Sequence, residues 1–166
     1  MYIPVLQEPR PLERRDDRSR FQSGNSEIDD WFHRFAWQNR SAGNARVFVT
    51  TQEPDTLAST PYRWGSAAQQ TPRCPQTRST PGPCPILLLA RLAVDQRAQG
   101  RGIGAALLKD ALLRAYKLSN EVGFAALLVH CANDHAREFY LSQSSHFVPC
   151  PGAENHLMLP LRALRE

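Results

Sequence analysis

Apolar residues recur first at Ile28, Trp31, Phe32, Phe35 and Ala36, spaced i, i+3, i+4, i+7 and i+8. That spacing lays one hydrophobic stripe along a helix and predicts a helix over 27–39. Ser26, followed three positions on by Asp29, has the form of a capping box with Asp in place of the usual Glu. The Asn and Gly residues between 39 and 43 favour termination, and Val47-Phe48-Val49-Thr50 then reads as a strand. A second helical stripe, Ile103, Leu107, Leu108, Ala111, Leu112 and Ala115, predicts a helix over 103–118. Asn133 or Asp134 is placed to cap a shorter helix over 134–142. Elsewhere the pattern changes to continuous apolar runs. Residues 86–94, broken only by Arg91, and residues 124–131 have the form of strands covered on both faces. Residues 147–148 and 156–161 predict two terminal strands, and residues 2–6 a short one near the start.

Prolines mark where this order lapses. Seven of the 13 lie between Gln52 and Pro85, and a strand over 62–67 would place Pro61 at its start or at a sheet edge. Residues 69–85 read as a long polar loop, and no segment repeats another. At 166 residues, with 42% apolar and 22% charged side chains, the chain is expected to form one globular domain over 1–166. No apolar run approaches the roughly 20 residues that cross a bilayer, and the start lacks a basic patch followed by an apolar stretch. The expected location is therefore the cytoplasm, with no membrane contact. Cys74, Cys84, Cys131 and Cys150 show no C-x-x-C spacing, which argues against zinc and, in a reducing compartment, against disulfides. No metal is expected.

The formal charge is +4, and of the 20 basic residues only Lys109 and Lys117 are lysines. Arginine suits phosphate, because its planar fork binds pairs of oxygens in a fixed geometry, and the balance is mildly suggestive of a polyanionic partner. The densest basic stretch, residues 14–20, is interrupted by Asp16 and Asp17 and reads first as solvated surface.

The chemistry concentrates at Gln99-Gly100-Arg101-Gly102-Ile103-Gly104, a glycine-rich loop between a strand and a helix. Backbone N–H groups at a helix N-terminus lack intrahelical partners, and the helix dipole adds partial positive charge there. Glycines let a phosphate approach the main chain closely, and Arg101 offers a charge-assisted contact. The dinucleotide fingerprint fails because the spacing is G-x-G-x-G, and the P-loop fails because Ala105-Ala106 follows Gly104. A glycine-rich turn that only starts a helix is the plain alternative.

The pattern that remains, [Q/R]-x-x-G-x-[G/A] after a buried strand, resembles the acetyl-CoA pyrophosphate loop of the GNAT N-acetyltransferases. Arg91-Leu92-Ala93-Val94-Asp95 resembles that family's cofactor strand, and Asn133-Asp134-His135-Ala136-Arg137-Glu138-Phe139-Tyr140 its second cofactor element. Phe21-x-x-Gly24-x-x-x-x-Asp29-x-Trp31, Asn44-Ala45-Arg46-Val47-Phe48-Val49 and Leu157-Met158-Leu159-Pro160-Leu161 are similar to the TacT-like GNAT toxins. The likeness covers most of residues 25–161. Three positions depart from it: Thr60-Pro61-Tyr62 where the family has Gly-Tyr, Ala90 where a glycine is common, and a segment after Tyr140 two residues longer and without glycine.

The resemblance implies an α/β (α+β) fold with a mixed, mostly antiparallel, splayed sheet and helices on both faces. It implies acetyl-CoA as cosubstrate, held by Leu92, Ala93, Val94, Gln99, Gly100, Arg101, Gly102, Ile103, Gly104, Ala105 and Asn133. It further implies acetylation of the α-amino group of aminoacyl-tRNA, neutralisation by a ribbon-helix-helix antitoxin, and a homodimer. The tetrahedral oxyanion would take a backbone N–H near Val94, and Tyr140 occupies the family's position for the acid that protonates the leaving thiolate. A core tyrosine packed beside Phe139 is the alternative for that residue. No base is assigned, since an α-amino group beside an ester has a pKa below the usual value near 8. An ordinary small-amine or protein N-terminal acetyltransferase, and an inactive GNAT-fold binding module, are the competing functions.

Overall fold

The structure, a computed structural model, describes residues 5–52, 55–66, 85–89, 92–150 and 153–165. In chain order its first elements are β1 (Arg10–Pro11), α1 (Ser26–Arg34), α2 (Ala36–Ser41), β2 (Arg46–Gln52), β3 (Asp55–Ser66), β4 (Pro85–Leu89) and β5 (Ala93–Val94). There follow α3 (Ile103–Leu118), β6 (Ala126–His130), α4 (Asp134–Gln143), β7 (Val148–Cys150) and β8 (Ala153–Pro160). Short 3-10 turns occupy Gln96–Ala98 and Leu161–Arg165. The chain forms two compact units, residues 1–62 with 91–110, and residues 63–90 with 111–166.

In the first unit β2 pairs antiparallel with β1 and with β3, and β5 pairs antiparallel with β3 at Ala58↔Val94 and Ser59↔Ala93. Its core gathers Leu12, Phe21, Phe32, Ala36, Val47, Val49 and Ala93, with Trp31 and Trp37 packed against them. The rings of Phe21 and Phe32 lie 4.7 Å apart, which fixes the loop before α1 onto the helix. In the second unit β6 pairs parallel with β4 and antiparallel with β8, and β8 pairs antiparallel with β7. Ile86, Ala126, Leu128, Cys150 and Met158 are buried there together. The mixed, mostly antiparallel pairing agrees with the sequence expectation.

Pro61 sits inside β3, opposite Val47, and not at the strand start. The register explains why this is tolerated. Leu12 N–H donates to the Val47 carbonyl at 2.8 Å, so the polar groups of Val47 face β1. Its pairing with Pro61 is then of the non-hydrogen-bonded kind, and the missing proline N–H takes no rung from that ladder.

The expected helix over 27–39 is two helices. Phe35, at φ −120°, separates α1 from α2, and its side chain is exposed. The cap is also one residue earlier than Ser26. Asn25 accepts from the N–H groups of Glu27 and Ile28, and Asp29 accepts from the N–H and hydroxyl of Ser23. The two side chains thus satisfy main-chain donors at both edges of the first turn. Gly43, at φ +78°, follows the end of α2, as the Asn/Gly signal implied.

The run 86–94 divides into β4 and β5, with Ala90 and Arg91 outside the described residues. Helix α3 spans the residues expected of it, and buries Ile103, Leu107, Leu108, Ala111 and Ala115. The strand expected over 2–6 is not borne out at Val5 and Leu6, which are irregular, while residues 1–4 lie outside the described set. The loop expected over 69–85 also falls outside it, up to Pro85, which begins β4.

Asn25→Ala removes the acceptor for two N–H groups and is expected to destabilise the protein by about 1 kcal/mol. Urea denaturation at neutral pH measures it; an unchanged midpoint would contradict the assigned cap.

Candidate cofactor site

The glycine loop is held from both sides. Leu92 and Val94 before it pack on Ala98, Ile103 and Leu107, which ties β5 to the start of α3 through apolar contact. Between them Gly100 and Gly102 adopt φ +79° and +77°, the left-handed region that side chains with a Cβ rarely enter. A Cβ built at either would meet nothing within 4 Å. Glycine is therefore required by backbone conformation, and the space beside both residues is open.

Ala106 N–H donates to the Gly102 carbonyl at 3.1 Å, closing the first turn of α3. The N–H groups of Ile103, Gly104 and Ala105 precede that ladder and sit at the positive end of the helix dipole. Such an end, with open space at its glycines, suits an anion. Arg101 is exposed, 3.4 Å from the Gln52 side-chain oxygen, a distance too long for a strong hydrogen bond.

Asp95, at the foot of the loop, is 1% exposed. One carboxylate oxygen accepts from Arg97 N–H and Nε, each at 2.9 Å; the other accepts from Gln22 N–H at 3.0 Å and Arg97 Nη2 at 3.1 Å. Burial alone would raise its pKa, but the hydrogen bonds from Arg97 and the main chain outweigh that and hold the carboxyl below the usual Asp value. Arg97 also reaches Asp55 at 3.1 Å, and Arg20 approaches the same carboxylate at 3.4 Å.

In the second unit Asn133 caps α4, its side-chain oxygen accepting from Ala136 N–H at 2.8 Å. The same helix carries Tyr140, whose side chain is 3% exposed and whose ring lies 5.4 Å from Phe139 and 5.8 Å from Phe147. Cys131 and Cys150 are both buried. Burial pushes the Cys131 thiol up, against a smaller opposing effect from Arg137.

Leu92, Ala93, Val94 and Gln99 to Ala105 thus come together in the first unit, while Asn133 and Tyr140 share one helix in the second. Among the described residues no group of three or more His, Cys, Asp or Glu is arranged to hold a metal. Five further residues are candidates for a base or a phosphate contact: His130, His135, Glu138, Arg34 and Arg40. His130 meets His156 edge to face, ring centroids 4.9 Å apart, while Glu138 and His135 are exposed on α4. Arg34 and Arg40 lie over the rings of Phe35 and Trp37. Sequence reasoning misses the role of Asp95 and its partner Gln22. A signal is present, an acid directly before a glycine loop, but nothing in the spacing says that a segment 73 positions earlier supplies a donor.

The Asp95 interaction carries a pH signature. Because the folded pKa is depressed, its stabilisation is complete above the unfolded Asp value of about 3.9 and is lost as pH falls through that value toward the folded one. Asp95→Asn is expected to lower the urea midpoint at pH 7, with the gap to the parent narrowing below about pH 4. A gap independent of pH would contradict it.

An acetyltransferase (GNAT) domain model matches residues 43–143. A tRNA-acetylating toxin of Mycobacterium tuberculosis is 36% identical over 157 residues, 95% of this chain and 93% of that one. Among solved structures, AtaT complexed with acetyl-methionyl-tRNAfMet superposes with a TM-score of 0.84 at 24% identity, covering 97% of this chain and 98% of that one. A mutant AtaT toxin bound to the C-terminus of the antitoxin AtaR and acetyl-CoA gives 0.80 at 23%, covering 97% and 96%. Glycine loop, strand pairing and sequence likeness converge: the chain belongs to the GNAT acetyltransferases.

Proposed function

We propose that this protein is a toxin that uses acetyl-CoA to acetylate the α-amino group of aminoacyl-tRNA, and so blocks translation. The observation that carries this is the 36% identity, across 95% of the chain, to a tRNA-acetylating toxin. The glycine loop supports the cofactor half of the reading. Its open left-handed glycines and the leading N–H groups of α3 present donors to a pyrophosphate. On this reading the main chain of Leu92–Val94 would pair with the pantetheine arm, and Asn133 would contact the pantetheine or adenine end of the cofactor.

The reaction forms an amide bond as the amine nitrogen attacks the thioester carbonyl, and breaks the carbon–sulfur bond as the tetrahedral intermediate collapses. A backbone N–H near Val94 holds the oxyanion. Tyr140 gives its phenolic proton to the departing CoA sulfur. Its ring is buried, 5.4 Å from Phe139 and 5.8 Å from Phe147. The nucleophile's own proton leaves to water, and Tyr140 regains a proton from solvent. On the same reading the protein works in the cytoplasm as a homodimer and is neutralised by a ribbon-helix-helix antitoxin; the AtaT toxin bound to part of AtaR is the parallel. No helix among the described residues is long and apolar enough to cross a membrane.

Incubation with acetyl-CoA and total charged tRNA, followed by identification of the acetylated amino acid, tests the substrate. Acetylated aminoacyl-tRNA is expected, and Tyr140→Phe is expected to slow its formation by roughly 10²–10⁴-fold while acetyl-CoA binding changes little. Transfer to polyamines or peptide amines with charged tRNA untouched would overturn the substrate. A folded Tyr140→Phe protein working at the parental rate would remove Tyr140 from the chemistry.

A further inference from the structure

Gln99 opens the glycine loop, and its side-chain amide is engaged by main-chain carbonyls. Gln99 Nε2 donates to the carbonyls of Ser23 and Val94, each at 2.9 Å. Ser23 lies 76 positions earlier in the chain, in the short segment between buried Phe21 and helix α1. The same segment is tied to the foot of the loop twice more. Gln22 N–H donates to Asp95, and Gln96 N–H donates to the Gln22 carbonyl at 2.8 Å. Gly24, at φ +98°, lets this segment turn, and a Cβ there would stand 2.8 Å from Gln96 Nε2. Residues 22–24 therefore meet residues 94–99 through main-chain and side-chain bonds at both ends of the 3-10 turn.

We infer that residues 22–24 act as a clip on the cofactor loop, with Gln99 and Asp95 as positioning residues: Gln99 orders the loop through Ser23 and Val94, and does not itself bind the pyrophosphate. The physical reason is preorganisation. Glycines at 100 and 102, both left-handed here, leave the loop more conformational freedom before it is ordered than residues with a Cβ would. Ordering it in advance removes an entropic cost that acetyl-CoA would otherwise meet on binding. The amide of Gln99, holding two carbonyls, fixes where the loop leaves β5. The carboxylate of Asp95 fixes the turn between. The inference rests on the proposed use of acetyl-CoA.

The test is a double-mutant cycle on the full chain, with acetyl-CoA affinity read by calorimetry at a temperature where every variant is folded by circular dichroism. Gln99→Ala and Gly24→Ala are each expected to weaken acetyl-CoA about tenfold, and the double variant also about tenfold, since both open one clip. A direct phosphate ligand at Gln99 predicts instead independent losses that multiply to about a hundredfold. That result overturns the clip, as does a Gly24→Ala protein with parental affinity or a Gln99→Ala protein with parental affinity. If Gly24→Ala fails to fold, Asp95→Ala takes its place, removing the acceptor of Gln22 N–H. A parental protein that binds no acetyl-CoA would sink the proposed function itself, an outcome separate from any of these.

Discussion

A carboxylate almost wholly removed from water must be matched by donors or give up its charge, and Asp95 is matched by four. The consequences of that constraint reach through the first unit. Three of the donors come from Arg97 on the turn that follows, and the fourth from the main chain of Gln22. The turn Gln96–Ala98 is thereby set against the N-terminal segment, and Ala98 is carried into the apolar cluster with Ile103 and Leu107. Helix α3 starts from that cluster, so the direction of its leading N–H groups follows from where Asp95 sits. Arg97 extends the same polar chain to Asp55 at the start of β3, linking the loop to the strand that pairs with β5.

Local period makes much of this legible in the sequence. The stripe from Ile103 to Ala115 marks a helix whose buried face is the one found, because amphipathic spacing reports directly on which side meets the core. The glycines at 100 and 102 announce a backbone that other residues would resist, and both are left-handed. Of the two residues that read as a cap, Asn133 and Asp134, Asn133 is the one that caps. These are features set by neighbours in sequence.

Features set by distant partners are less legible. The stripe through Phe35 suggests one helix, but the chain breaks there and leaves that ring exposed, since Ala36 and Phe32 already fill the core beneath. Pro61 has the look of a strand boundary, because the pairing side of a strand residue cannot be known until its partner is. The acid at 95 is visible, but its role depends on residues 22–24, and no short-range pattern connects them. Tyr140 lies between these cases. Its Phe-Tyr setting resembles a family element, while its burial between Phe139 and Phe147 comes from tertiary packing.

The central claim is that the glycine loop is where acetyl-CoA is held, through main-chain N–H groups. Amide hydrogen exchange with and without acetyl-CoA tests it most directly, because exchange reads those groups themselves. Protection should rise on ligand addition at residues 100–105 and along 92–94, with the first turn of α3 slowed most. Binding that leaves the exchange of residues 100–105 unchanged, with protection appearing only elsewhere, would contradict the account.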